Sequence, residues 1–201
     1  ETGIMLFQLS ISRGDTLKAE SILDSLISYN PREMEFYYYK AELQFIRHDW
    51  EGLLLTYKEI FLNENHNTEL LKKIIEIGET IEDPKIIQNY LEEILTVDTE
   101  NYLILQALAQ LHYNMGDMET AVDYFIKMIP YAEAKHIVEL AIADIFLRIN
   151  QPINALSYLE PIYNSGDISF DMLHLLLISY TMTRNIEKQI EIGLIMINSY
   201  P

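Results

Sequence analysis

The chain has 201 residues, 31 acidic and 14 basic, with a formal net charge of -17 and no Cys. Hydrophobic residues at 49% suffice for a core and rule out wholesale disorder, while the acid excess argues against nucleic-acid binding, which runs on clustered Lys and Arg. Without Cys there are no disulfides, thiolate metal sites or cysteine nucleophiles, and no apolar run reaches the roughly 18–20 residues of a spanning helix.

Apolar spacings of three and four recur along the whole chain, and no segment alternates as a strand would. Asp15, Asp49, Asp83 and Asp117 stand 34 residues apart, and Gly14 with His48 and Ala121 with Ala155 keep the same interval. In this register the chain divides into units near 1–33, 34–67, 68–101, 102–135, 136–169 and 170–201. The first carries Gly14-Asp15, Ala19, Leu23 and Asn30-Pro31. The second keeps Ala41, Asp49-Trp50 and Tyr57. The third has drifted, with Ile75 at a small-residue position. The fourth runs Leu105, Leu108, Ala109, Gly116-Asp117, Ala121, Tyr124 and Phe125. The fifth offers Ala143, Phe146, Ala155 and Leu159, and the sixth has drifted, with Leu177 and Gly193. One column is apolar throughout: Ile27, Phe61, Leu95, Ile129, Tyr163 and Ile197. Asp15, Asp49, Asp83 and Asp117 are suited to N-cap the second helices of their units, and Pro84 and Pro152 fall at the start of second helices, where a first helical turn tolerates proline. Pro130 and Pro161 fall near the ends of second helices, so shortened or kinked last turns are expected there.

This pattern resembles the tetratricopeptide repeat (TPR) family, whose unit is a helix–turn–helix of 34 residues. The resemblance spans the whole chain and implies an all-α, right-handed superhelical solenoid of about six units and twelve antiparallel helices, forming one domain of a longer chain. It also implies a concave groove lined by one face of each first helix. Carried over by position, that face comprises Glu35, Tyr38, Glu42 and Phe45; Glu69, Lys72, Glu76 and Glu79; Leu103, Gln106, Gln110 and Tyr113; Ile137, Leu140, Asp144 and Leu147; and Asp171, His174, Ile178 and Thr181. The groove is expected to run from an acidic, aromatic wall to a largely aliphatic one. The third unit is the most acidic, at -6. Such a wall suits a basic or amphipathic segment of a partner protein; solubility alone would also account for surface acid. The clamp by which some family members bind acidic C-termini is not matched: Lys72-Lys73 is the only adjacent basic pair on a first helix, and Gln8, Tyr38, Tyr39 and Glu42 stand where its partners belong.

Tyr37, Tyr38 and Tyr39 are consecutive on a helix, so they point about 100° apart. Tyr37 should pack inward, Tyr38 should face the groove and Tyr39 should lie sideways. His48, His66, His112, His136 and His174 show no metal-ligand spacing; His112 falls on a packing position and should be a hydrogen-bonded core histidine, and His174 faces the groove. Paired carboxylates such as Glu76 and Glu79 are expected to be solvated charge, and the 63–67 turn lacks the glycine and bidentate Glu of a calcium loop. No catalytic residue, cofactor or metal is expected.

The ends look bare. Ile4, Met5, Leu6, Phe7, Leu9 and Ile11 open the chain, and the last helix, from Ile186 to Tyr200, is apolar on more than one side, with no polar capping helix after it. Ile192 and Ile195 are the expected contacts of an end face. Two functions stand open: a non-enzymatic scaffold binding a peptide or helix in the groove, and a structural spacer that self-associates through its ends. Cytoplasmic and secreted or periplasmic locations are both open.

Overall fold

A computed structural model describes residues 2–64, 68–80, 84–166 and 168–199, without the side chains of Thr2, Thr68, Glu79 and Thr80. Asp83 and His66 lie outside the described residues. The fold is all-α, a helical-repeat solenoid. Its helices are α1 (Thr2–Ser12), α2 (Thr16–Tyr29), α3 (Met34–Ile46), α4 (Trp50–Asn63), α5 (Thr68–Thr80), α6 (Pro84–Val97), α7 (Tyr102–Met115), α8 (Met118–Met128), α9 (Lys135–Arg148), α10 (Pro152–Asn164), α11 (Phe170–Met182) and α12 (Ile186–Ser199). They fall into two compact units, Glu1–Val97 and Asp98–Pro201. In the first, each of α1–α6 packs on its sequence neighbour and α4 also meets α6; in the second, α7–α12 do the same and α9 also meets α11.

One local device recurs at every described helix–turn–helix joint. Gly14, His48, Gly116, Asn150 and Arg184 all take positive φ, between 56° and 81°. The next residue then sends its N–H back five residues: Asp15 to the Ser10 carbonyl, Asp49 to Gln44, Asp117 to His112, Gln151 to Phe146 and Asn185 to Tyr180. This is the Schellman stop, which satisfies carbonyls that a helix end leaves open. The same residue can then start the second helix. Side-chain oxygens of Asp15, Asp49, Asp117 and Asn185 accept the backbone N–H three residues on. Gln151 makes no such bond, and there Pro152 starts α10 with its fixed φ.

The residues that receive those N–H groups form a second column, in which Phe146 is apolar and half-buried while the other four carry polar groups and are buried. Ser10, Gln44, His112 and Tyr180 are each at most 5% exposed. Burying a polar group costs free energy unless it is hydrogen-bonded, and each has a partner. The Ser10 hydroxyl donates to the Leu6 carbonyl (2.9 Å), and the Tyr180 hydroxyl to Glu160 (2.9 Å). Gln44 receives the Thr56 hydroxyl (2.8 Å) and donates to Glu20 (2.9 Å), which also binds the Arg47 guanidinium, so one network ties α2, α3 and α4 together. His112 Nδ1 lies 3.1 Å from Asp117 Oδ2, and the ring stacks on Tyr124.

Around these joints the small repeat positions are sealed: Ala19, Ala109, Ala121, Ala143 and Ala155 are fully buried. Leu23, Leu53, Ile60 and Phe61 fill the core of the first unit, and Leu105, Leu108, Leu159 and Leu176 that of the second. The apolar column of the second helices is buried or half-buried from Ile27 to Tyr163, while Ile197 is 71% exposed. Proline acts differently at its two late positions. α8 stops at Met128 and a 3-10 turn, Ile129–Tyr131, carries Pro130, but α10 runs through Pro161 to Asn164.

Candidate partner-binding faces

In the first unit, α3 begins at Met34, so Glu35, Tyr38, Glu42 and Phe45 fall three or four residues apart on one stripe. All four are exposed, Tyr38 by 38% and Phe45 by 54%. Tyr38 is nevertheless held: its hydroxyl donates to Glu64 at 2.5 Å, at the C-terminal end of α4. Burial and that carboxylate push the phenol up to about 12, so it stays a protonated donor across ordinary pH. Tyr37 is half-buried, with its hydroxyl 3.3 Å from the Pro31 carbonyl. Tyr39 lies sideways, its ring 5.4 Å from Phe7 and its hydroxyl on Glu35 at 2.7 Å. On α5, Glu69, Lys72 and Glu76 are exposed, and Lys72 pairs with Glu69 at 2.8 Å. The side chain of Glu79 lies outside the described residues.

The second unit departs from the expected aliphatic wall. On α7, Gln106 and Gln110 are exposed, and Tyr113 is half-buried under the Arg148 guanidinium, which sits 5.9 Å from its ring. Arg148 also pairs with Asp144 at 2.7 Å. Ile137, at the start of α9, is 60% exposed, but the stripe then turns inward. Leu140 is half-buried against the core and Leu147, at 9%, belongs to it. Leu147 is therefore a packing residue and not a groove contact. α9 packs against α8, α10 and α11, and in its C-terminal half Ile142, Ala143, Ile145 and Leu147 are buried and Phe146 half-buried. Among the α11 positions, Asp171, His174 and Thr181 are exposed and Ile178 is half-buried; His174 stacks on Phe170 with centroids 6.3 Å apart.

The end-face residues need the same correction. Ile192 is 1% exposed, packed with Met172, Leu173, Leu176 and Tyr180, and Ile195 rests half-buried against that cluster. The exposed stripe of α12 lies elsewhere on the helix, at Ile186, Ile190, Leu194 and Ile197, each 56–71% exposed. On α1, Ile4, Met5, Leu6, Leu9 and Ile11 are 40–69% exposed, whereas Phe7 packs against the small core of Ala19, Leu23 and Leu43.

The first unit holds a further feature, at the joint where Asp49-Trp50 marks the repeat register and caps α4. His48, Asp49, Trp50, Glu51 and Ile86 line a depression of about 450 Å³ between the start of α4 and α6. The Trp50 ring is braced by two edges, His48 at 5.2 Å and Phe45 at 5.8 Å. The available signal was His48 itself, a bulky residue in the column that Gly14 and Gly116 occupy. Among the described residues no group of three or more His, Asp or Glu could hold a metal ion, and none of the described helices is long and apolar enough to cross a membrane.

No family model matches the chain and no curated protein matches it in sequence. Solved structures do match in shape. PilW, a type IV pilus biogenesis factor, aligns over 100% of this chain and 93% of its own at 12% identity, with a TM-score of 0.56. Pseudomonas aeruginosa PilF covers 100% and 91% at 17% identity, with a TM-score of 0.50. Naa15, in its structure with Naa10 bound to HypK, covers 100% of this chain with 32% of its own at 12% identity and a TM-score of 0.63. The fold is TPR-like. At these identities the likeness shows the fold alone.

Proposed function

We propose that the chain is a non-enzymatic protein-interaction scaffold that binds a basic, amphipathic segment of a partner protein on the first-helix face of its N-terminal unit. The observation that carries this is the α3 stripe, where Tyr38 and Phe45 are exposed one turn-pair apart and alternate with the exposed carboxylates of Glu35 and Glu42. Exposed aromatics bury much area at little rotamer cost, and fully burying one such ring is worth about 1.5–3 kcal/mol. The carboxylates select the sign of the partner and speed its approach. A fold of this kind carrying protein partners, as in the Naa15/Naa10 complex with HypK, supports the reading by analogy only. Selecting a displayed library of amphipathic helices on the wild-type chain, with Tyr38→Ala/Phe45→Ala as counter-target, tests it. Recovered helices should carry Lys or Arg beside an apolar face and lose the double variant. Helices without charge bias, or indifferent to the variant, would refute it.

A second reading has its own observation. The open α12 stripe of Ile186, Ile190, Leu194 and Ile197 would support a spacer that self-associates. Ile190→Glu with Ile197→Glu should then abolish a concentration-dependent mass in sedimentation equilibrium, and a wild-type chain that stays monomeric removes this reading.

A further inference from the structure

The depression beside Trp50 joins the α3 stripe through Phe45, whose ring meets Trp50 edge-on. Among the described residues its lining is His48, Asp49, Trp50, Glu51 and Ile86, which bring an imidazole, an indole and two carboxylates, and neither Lys nor Arg contributes. Arg47, one residue before His48, is held by Glu20, and Lys85 precedes Ile86 without lining the space. An aromatic face with acid at its rim and no cation inside is complementary to an organic cation. The indole face is the strongest aromatic site for one. A guanidinium suits it better than an ammonium, because it is planar, stacks on rings and can present two N–H groups to one carboxylate.

We propose that this depression receives the arginine side chain of a basic partner segment, with Trp50 as the stacking face and Glu51 and Asp49 as the counter-charge. The proposal rests on the scaffold reading and adds to it the residue type that anchors the partner's end nearest α4. His48 contributes shape. It occupies a left-handed conformation (φ 56°) that a glycine fills more easily, and in exchange its ring packs on Trp50 in a T-shaped contact, centroids 5.2 Å apart. Asp49 is already fixed by its bond to the Gly52 N–H, so one wall needs no reordering when a ligand arrives.

The protein's one Trp is the reporter. The whole chain is titrated with a blocked arginine amide and, separately, with the neutral isostere, blocked citrulline amide, following Trp50 fluorescence and its indole N–H resonance. A saturable change is expected for arginine, with citrulline at least about fivefold weaker. Glu51→Gln, at an exposed first-turn position that leaves the fold intact, should weaken arginine by a similar factor. His48→Gly should also bind more weakly while remaining folded. Equal response to both amides, no saturable response, or indifference to Glu51→Gln would overturn the proposal. The two ideas fail separately. Helices that need Tyr38 but not Glu51, together with no arginine titration, refute the pocket and leave the scaffold. Arginine saturation with no helix recovered on the α3 stripe refutes the scaffold and leaves a cation site.

Discussion

Asp117 Oδ2 lies 3.1 Å from His112 Nδ1 while its Oδ1 accepts the Thr120 N–H, so the residue that starts α8 also orients a buried ring of α7. One side chain thereby serves both helices of the joint. His112 Nε2 has no hydrogen-bond partner, so the ring relies on Asp117 and on stacking against Tyr124.

Replacing Asp117 by Ala should therefore lower Tm more than replacing Asp15, which caps α2 without a histidine behind it. The Asp117 carboxyl is held below the usual carboxylate range by its bonds to Thr120 first and then by His112. A depressed folded-state pKa means that its stabilisation is fully present above the ordinary aspartate range. That stabilisation is lost as pH falls through the lowered value. Thermal melts across the acidic range should show a larger loss in the wild type than in Asp117→Ala, which keeps only the share from other carboxylates such as Glu69 and Glu191.

Two glycines should respond oppositely to alanine. A Cβ on Gly52 would fall 2.5 Å from Asp49 Oδ2, whose partner oxygen Oδ1 caps the helix, and 2.8 Å from Gln44 Nε2, which is committed to Glu20. The helix-propensity gain of about 1 kcal/mol should be outweighed, giving a net loss of about 1–2 kcal/mol. Gly193 meets nothing within 4 Å, so Gly193→Ala should raise stability by up to about 1 kcal/mol. Urea unfolding of the two variants measures both signs.

The Gln44 network can be broken without changing volume much. Thr56→Val removes the hydroxyl donor at 2.8 Å and leaves the Gln44 carbonyl oxygen buried. An unsatisfied buried acceptor costs about 1–3 kcal/mol. Chemical denaturation should report that loss, and an effect below about 0.5 kcal/mol would mean that Gln44 finds another partner.

The left-handed column offers a comparison within one chain. Arg184→Gly should stabilise by about 1 kcal/mol, since a non-glycine residue there costs about 1–2 kcal/mol. His48→Gly should gain less, because it also gives up the ring contact with Trp50. Denaturant midpoints of the two variants decide the order; a larger gain at His48 would mean that its ring adds nothing to the fold.

The sequence by itself determined the period and its joints. The 34-residue recurrence of Asp15, Asp49 and Asp117 marks N-caps, because capping needs a short acceptor side chain at one place in each unit. The Gly14, His48 and Gly116 column marks left-handed residues, because a Schellman stop needs one before each cap. These are local constraints, set within a few residues, and a chain read in one dimension preserves them. Which apolar residue is covered is a different matter, since it depends on which helices approach. Leu147 and Ile192 read as open positions by helical spacing. They are sealed because α9 is enclosed by α10 and α11, and α12 turns Ile192 toward Met172 and Leu176. The depression at Trp50 belongs to the same class. It exists only because α6 brings Ile86 to a joint formed 38 residues earlier, at His48 and the Asp49 cap of α4, so its lining was decided by tertiary packing.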